Sequence, residues 1–292
     1  MRSRAARVAV APVLAGIVLA MILAAGFVAI GAPTPAGGEE PWFSVTKIGA
    51  AEYTGAPTEP FFVLIVGNDA REGLGGARGD ALHVVGVNPA AKAATIIDIP
   101  RDTTVDVPGY GRDKATHAFA YGQLPLAVAT MEQWIGVPIS YAITTDFAGF
   151  VKMVDDIGGV DIDIPAPMND ANSGSNFAPG PTHLDGNQSL AFNRDRYSFG
   201  SGDAQRTENQ GHFLISTLAT LRSRNPSAAG TMRMLVSLVH NTQHEGLGLT
   251  EMFRLGSLAL SVDPANIRNV VVPGEPAALF ADFADDALLQ TH

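Results

Sequence analysis

Three apolar, β-rich runs follow one another between residues 61 and 100, and they limit what this 292-residue chain can fold into more than any other feature. "FFVLIVG" (61–67), "ALHVVGVN" (81–88) and "AATIIDIP" (93–100) have the length and spacing of sequential strands. Helical patterns come after them. "LPLAVATMEQWIG" reads as a helix, and "DFAGFVKMVDDIGG" as a second with Asp146 as N-cap and Gly158 as stop. "GVDIDIP" alternates like a strand with one polar face. "LDGNQSLAFNRDRYS" reads as a short helix running into a strand, and "GDAQRTENQGHFLISTLATLRSR" as a long helix capped by Asp203. Two more helices are expected near 230–240 and 250–260, then a strand at "NIRNVVVPG" and a last helix at "DFADDALLQ". Strands interleaved with helices over residues 61–290 predict one α/β domain, layered helix–sheet–helix.

The N-terminus adds a second constraint. "MRSRAAR" (1–7) puts three arginines before an uncharged stretch, 8–32, that exceeds the ~20 residues a helix needs to cross a bilayer. Arginines on that side predict a cytoplasmic N-terminus and an extracytoplasmic remainder. A cleaved signal peptide is the alternative, since Ala29, Gly31 and Ala32 are small. The apolar region of such a peptide spans ~7–15 residues, so the length favours an uncleaved transmembrane anchor. Residues 33–60, rich in proline, glycine and alanine, read as an extracytoplasmic linker. A domain outside the membrane has little use for ATP or NAD.

The net charge of −10 argues against a general affinity for nucleic acid, so any anion must be held by a local arginine cluster. The absence of cysteine removes disulfides, thiolate catalysis and zinc–thiolate sites. Nothing in the sequence signals an oligomeric state.

The loop after the first run, "GNDAREGLGGARGD" (67–80), holds Asp69 and Asp80 with Arg71 and Arg78. Acids at the carboxyl end of a buried strand lie where open α/β sheets bind ligands. Two carboxylates plus phosphate oxygens suit Mg²⁺, with Mn²⁺ as the alternative ion; the same acids also suit turn capping. The loop lacks dinucleotide-fingerprint spacing and a P-loop Lys-Ser/Thr, and its Arg-Gly-Asp tripeptide carries no weight alone.

Arg101 follows Pro100 at a strand end, so a stiff backbone aims it; phosphate recognition and an ion pair with Asp102 both fit. Lys114 and His117 are weaker signals, and a histidine among alanines and aromatics suits packing. In "FNRDRYS" a strand would put Arg194 and Arg196 on one face, where they need an anion or acidic neighbours such as Asp203. Arg206 and Gln210 fall on one side of the long helix near its N-terminus, which itself attracts anions. Arginines 78, 101, 194, 196 and 206 opposite Asp69 and Asp80 describe a site for a pyrophosphate bridged by a metal. Outside the membrane, a lipid-linked pyrophosphate is the natural ligand.

"FFVLIVGNDAR", "ARGDALHVVGVN", "IPRDTTVDVPGYGRDKATHAFAYG", "DIGGVDIDIP" and "LDGNQSLAFNRDR" with "GDAQRTENQ" resemble, in order, the motifs of the LytR-CpsA-Psr family of cell-envelope proteins. The resemblance runs from Phe61 to Leu289. It implies a three-layer α/β/α domain around a mixed central sheet with an apolar cavity for a prenyl tail, preceded here by one transmembrane helix. It implies an enzyme that moves a glycopolymer from a polyprenyl-pyrophosphate carrier onto peptidoglycan. The family's metal-binding aspartates match Asp69 and Asp80. Its phosphate-contacting arginines match Arg78, Arg101, Arg194, Arg196 and Arg206, and its helix glutamine matches Gln210. Lys114 is carried as a further substrate contact, and Asp203 as the acceptor of the hydroxyl proton or as a helix cap. Three positions depart from the family pattern. Asp98 replaces a small hydroxyl residue, Asn209 replaces an arginine, and Ala81 replaces a threonine. The first would add a negative charge near the phosphate site. A lipid-binding or regulatory protein without turnover, or a lipid pyrophosphatase, would share much of this residue set.

Overall fold

The computed structural model describes residues 43–49, 53–55, 59–68, 79–200, 202–224 and 243–272. The first strands are β1 (Phe43–Lys47), β2 (Phe61–Asn68), β3 (Gly79–Asn88) and β4 (Ala93–Ile99). A hairpin, β5 (Thr104–Val107) and β6 (Gly111–Lys114), leads into helix α1 (Ala115–Ile135). Strand β7 (Ile139–Thr145) precedes α2 (Phe147–Asp156), and the short strands β8 (Val160–Ile164), β9 (Met168–Asp170), β10 (Ser175–Phe177) and β11 (Gly180–Leu184) follow. The chain closes with α3 (Gly186–Arg194), α4 (Asp203–Arg224), β12 (Gln243–Glu245), α5 (Leu249–Leu260) and β13 (Ile267–Val271).

Seven strands form one mixed sheet in the order β12-β1-β7-β2-β3-β4-β13. β2, β3 and β4 pair antiparallel, while β7 runs parallel to β2 and β13 parallel to β4. The three apolar runs therefore lie side by side, with β2 and β3 at the centre. Their near-continuous apolar character follows from burial on both faces. Phe62, Leu64 and Val66, with Leu82, Val84, Ile97 and Ile99, pack against Ala118, Phe119 and Met131 of α1. Val63 and Ile65, with Val85, Ile96 and Ile143, pack against Met153 of α2, Phe192 of α3, Phe213 and Leu218 of α4, and Leu255 of α5. The layers are helix, sheet, helix.

Local signals explain most boundaries. Asp146 caps α2 by accepting from Gly149 N–H at 2.7 Å, and Gly158 takes a positive φ of 79° where that helix stops. Arg224 finishes the stop by donating to the carbonyls of Ile157, Gly158 and Gly159 at 2.8–2.9 Å. Helix α3 opens with a capping box between Asp185 and Gln188. Helix α1 starts at Ala115, before the expected residue 124, and breaks at Gly122 and Gln123, so Pro125 falls in the first turn of the second segment.

Three expectations differ from the structure. "FNRDRYS" is the end of α3 and a turn, not a strand, because Asp195 leaves the helix as its C-cap and binds the hydroxyls of Ser175 and Ser198. Asp203 does not cap α4. It is the helix's first residue, and its carboxylate turns away to the arginines described below. β1, within the stretch read as linker, joins the sheet antiparallel to β7. The anchor at 8–32 and the helices near 230–240 and at "DFADDALLQ" lie outside the described residues, as do Asp69 and Arg78. Among the described residues no helix is long and apolar enough to cross a membrane.

Gly186 sets how closely α3 approaches α2. A Cβ there would lie 2.2 Å from the carbonyl oxygen of Val151, and the Gly186 N–H donates to Asp155 at 2.7 Å. Gly186→Ala is therefore expected to cost ~1–3 kcal/mol as overpacking. Urea unfolding of the two proteins checks this; equal midpoints would mean the helices part freely.

Candidate functional site

The sheet brings several strand ends to one edge. Gly67 lies one residue from the end of β2, Asp80 and Ala81 directly follow Gly79, where antiparallel β3 begins, Arg101 follows β4, and Thr145 ends β7. Beside this edge, on the α2–α5 face, lies a cavity of about 370 Å³ between the sheet and helices α2, α3 and α4. Its walls divide by chemistry. Ile65, Phe147, Phe150, Leu190, Phe213 and Leu214 line it with apolar surface, whereas Asp80, Arg101, Arg194, Arg196, Arg206 and Gln210 supply charge and polarity.

The arginines are gathered by two carboxylates. Arg101 Nη1 donates to Asp80 Oδ1 at 2.8 Å, and its Nε stands 3.8 Å from Asp102 and 4.0 Å from Asp203. Arg196 and Arg206 bring their Nη2 atoms to 3.0 and 2.8 Å from the same Asp203 oxygen. Arg206 Nη2 also donates to the Asp80 carbonyl at 3.2 Å. Arg206 is almost wholly buried, and burial pulls its guanidinium down to about 10 against the pull of Asp203, helped by the repulsion of Arg196 and Arg101. It therefore stays charged at neutral pH. Burial also opposes the charge of Arg101, but its bond to Asp80 and the charges of Asp102 and Asp203 win, and its pKa rises.

These groups are not satisfied by one another. Arg101 Nε, Arg196 Nη2, Arg206 Nε, both Asp203 oxygens and Gln210 Oε1 are buried without a hydrogen-bond partner. The close contacts to Asp203 are ion pairs without hydrogen-bond angles. Buried polar atoms are normally paired, and an orphaned one costs ~1–3 kcal/mol. Guanidinium donors from three elements, left unspent at the edge of a cavity, make a cradle for an anion. Asp80 Oδ2 takes no hydrogen bond from any described residue, which leaves a carboxylate oxygen of the hard type that Mg²⁺ or Mn²⁺ accepts.

Of the residues singled out from the sequence, the structure brings Asp80, Arg101, Arg194, Arg196, Asp203, Arg206 and Gln210 together. Arg194 and Arg196 reach the same cavity from a helix end and a turn, not from one strand face; Arg194 stands over the Phe147 ring, 5.2 Å from its centroid. Gln210 is fixed by donating to the Asn193 carbonyl at 3.0 Å. Lys114 stays outside the cavity, half-exposed and 2.6 Å from Asp102. Asp98 does not face the arginines. It is fully buried in β4, with His83 Nδ1 2.6 Å from its Oδ1. Burial, partly offset by His83, holds its carboxyl above the usual carboxylate range. Sequence reasoning missed Asp170 and Asp195, the acids that shape the Arg196 turn. Asp170 accepts from Arg196 N–H at 3.1 Å; Asp195 accepts from Ser198 N–H at 3.1 Å and from its hydroxyl at 2.6 Å. An acid between two arginines with a serine three residues on was the available signal for Asp195; Asp170 had none.

Asp195→Ala is expected to cost ~1–3 kcal/mol, because the hydroxyls of Ser175 and Ser198 lose a buried acceptor. Amide exchange at 196–198 should quicken along with that loss. Unchanged exchange would show that the arginine turn is held by other contacts.

The LytR_cpsA_psr family model matches residues 41–288. A "polyisoprenyl-teichoic acid–peptidoglycan teichoic acid transferase TagU" of Bacillus mycoides (strain KBAB4) is 40% identical over 162 residues, 55% of this chain and 52% of that protein. The chain thus spans about half the length of that curated relative. The crystal structure of B. subtilis TagV superposes with a TM-score of 0.63 at 26% identity, over 74% of this chain and 85% of that one. A TagT protein with bound octaprenyl pyrophosphate lipid has the same fold, with a TM-score of 0.58 at 23% identity over 79% and 91% of the two chains.

Proposed function

Because the chain belongs to the LytR-CpsA-Psr family, we propose that it transfers a glycopolymer from a polyprenyl-pyrophosphate carrier onto peptidoglycan. One observation carries this above all: unspent guanidinium donors stand at the edge of a cavity that also has an apolar wall, with Ile65, Phe147, Phe150, Leu190, Phe213 and Leu214. A diphosphate joined to a long hydrocarbon has both characters in one molecule. The TagU relative is named for a teichoic acid transfer to peptidoglycan, and the TagT protein holds octaprenyl pyrophosphate.

In this mechanism the prenyl tail lies along Phe147, Phe150 and Phe213, and the pyrophosphate meets Arg101, Arg196 and Arg206. A sugar hydroxyl of the acceptor attacks the glycan-side phosphorus. A new oxygen–phosphorus bond forms, the bond to the bridging oxygen breaks, and polyprenyl phosphate leaves with that electron pair. Arginines offset the charge that gathers on the leaving phosphate. Asp203 takes the hydroxyl proton, a role supported by two oxygens that accept no hydrogen bond. Asp80, together with Asp69 as the family pattern implies, would hold Mg²⁺ or Mn²⁺, and the ion when bound would neutralise pyrophosphate oxygens. Lys114 would add charge outside the cavity, and Arg78 would contact phosphate as the family pattern implies. The domain works on the outer side of the membrane, tethered by the apolar stretch at 8–32.

Full-length protein in mild detergent, given a polyprenyl-pyrophosphate glycan and peptidoglycan oligosaccharide, tests the proposal. Coupled product should form only with Mg²⁺ or Mn²⁺, and Arg101→Ala should lower the rate by about 100-fold or more. Free glycan phosphate with no coupled product would mean a pyrophosphatase. Tight donor binding with neither product would mean a binding protein.

A further inference from the structure

The hairpin that begins three residues after Arg101 carries an aromatic pair outside the cavity. Tyr110 sits at its tip between Gly109 and Gly111, both at positive φ (80° and 82°), a turn that other residues adopt only with strain. Its ring stacks on Tyr121 of α1, with centroids 4.5 Å apart and 14° between the planes. Tyr110 is 59% exposed and Tyr121 42% exposed, so two aligned aromatic rings stand in water.

They are pinned, not free. The Tyr121 hydroxyl donates to Asp113 at 2.6 Å, and Asp113 also meets Lys114 N–H at 2.7 Å and His117 Nδ1 at 2.8 Å. The hydrogen bond from Tyr121 is the largest influence holding the Asp113 carboxyl down, to about 2. His117 lies at a tilt with its centroid 5.7 Å from that of Tyr121. One face of Tyr110 is thus covered by Tyr121, and the other is open.

The same hairpin leads back to the arginines. Lys114 bonds Asp102 at 2.6 Å, Asp102 stands 3.8 Å from Arg101, and the Thr116 N–H donates to the Arg101 carbonyl. An aromatic face beside a carboxylate and an imidazole has the chemistry of a sugar subsite. The axial C–H bonds of a pyranose carry partial positive charge and pack on the negative face of an aromatic ring, while ring hydroxyls need donors and acceptors at the edge. Preorganisation by Gly109, Gly111 and Asp113 spares the ordering cost of binding.

We propose that Tyr110, stacked on Tyr121 with Asp113 and His117 at the edge of the pair, binds a pyranose ring of the acceptor glycan outside the cavity. The role of acceptor rests on the transferase reading; the binding of sugar does not. Saturation-transfer NMR on the full-length protein, with the β-1,4-linked tetramer of N-acetylglucosamine as probe and no donor lipid, separates the two. Saturation should reach the axial sugar protons in the wild type and in Tyr110→Phe, and affinity should fall about tenfold in Tyr110→Ala. A melting curve controls for folding. Absence of binding in the wild type, or equal affinity in Tyr110→Ala, overturns the subsite even where coupling is observed. Tyrosine-dependent sugar binding by a protein that couples no glycan keeps the subsite and removes the transferase. Loss of sedimentation with phosphatidylglycerol vesicles in Tyr110→Ala, at unchanged sugar affinity, reassigns the pair to the membrane surface and overturns the proposal.

Discussion

Asp203 is the contact on which the charged half of the site depends. Arg196 arrives from a turn, Arg206 from the first turns of α4 and Arg101 from the end of β4, and each repels the others. One carboxylate within 4.0 Å of all three lets them share a partly buried volume. It offsets too little to satisfy them. Three guanidinium groups and Lys114 against Asp203, Asp80 and Asp102 leave one positive charge and unspent donors, which is the condition for holding an anion instead of a closed salt-bridge network. A purely structural cluster would be expected to complete its own hydrogen bonds.

The two halves of the cavity come from different parts of the sequence for a geometrical reason. Charged residues cluster at strand ends and at the start of α4, where the chain leaves the sheet and its side chains are released from core packing. Apolar wall residues come from β2 and from α2, α3 and α4, next to the core on that side of the sheet. Phe213 belongs both to that core and to the cavity wall. The apolar part of the cavity is thus an extension of the hydrophobic core left open at one edge. Changes that loosen α2 against α3 would act on the site through Phe147, Arg194 and Asn193, without touching a charge.

Much of this was legible in the sequence. The central strands, the Asp146 cap and the Gly158 stop follow from local chemistry that tertiary context did not override. Arg101, Arg196, Arg206 and Asp203 were foreseeable as a group because each sits beside a boundary signal: a proline, a helix end or a helix start. The error at "FNRDRYS" has a specific cause. Alternating arginines imitate a strand, but Asp195 is held by Ser198 within the segment and by Ser175 twenty residues before it, and no local pattern reports the second partner. β1 was missed for a similar reason. A short run beside a proline- and glycine-rich stretch gains its strand identity only from pairing with β7 and β12.

The departures from the family pattern change meaning once their surroundings are known. Asp98 was expected to set a negative charge against the phosphates, yet its side chain lies in β4 opposite His83, which holds its Oδ1. His83, not Asp98, lines the cavity. The substitution therefore leaves the arginine cradle's charge alone and instead gives the cavity wall one polar edge, held in orientation by a buried carboxylate. Asn209 likewise lies buried beside Gln205 and does not line the cavity. Neither change removes a guanidinium group from the set that Asp203 assembles.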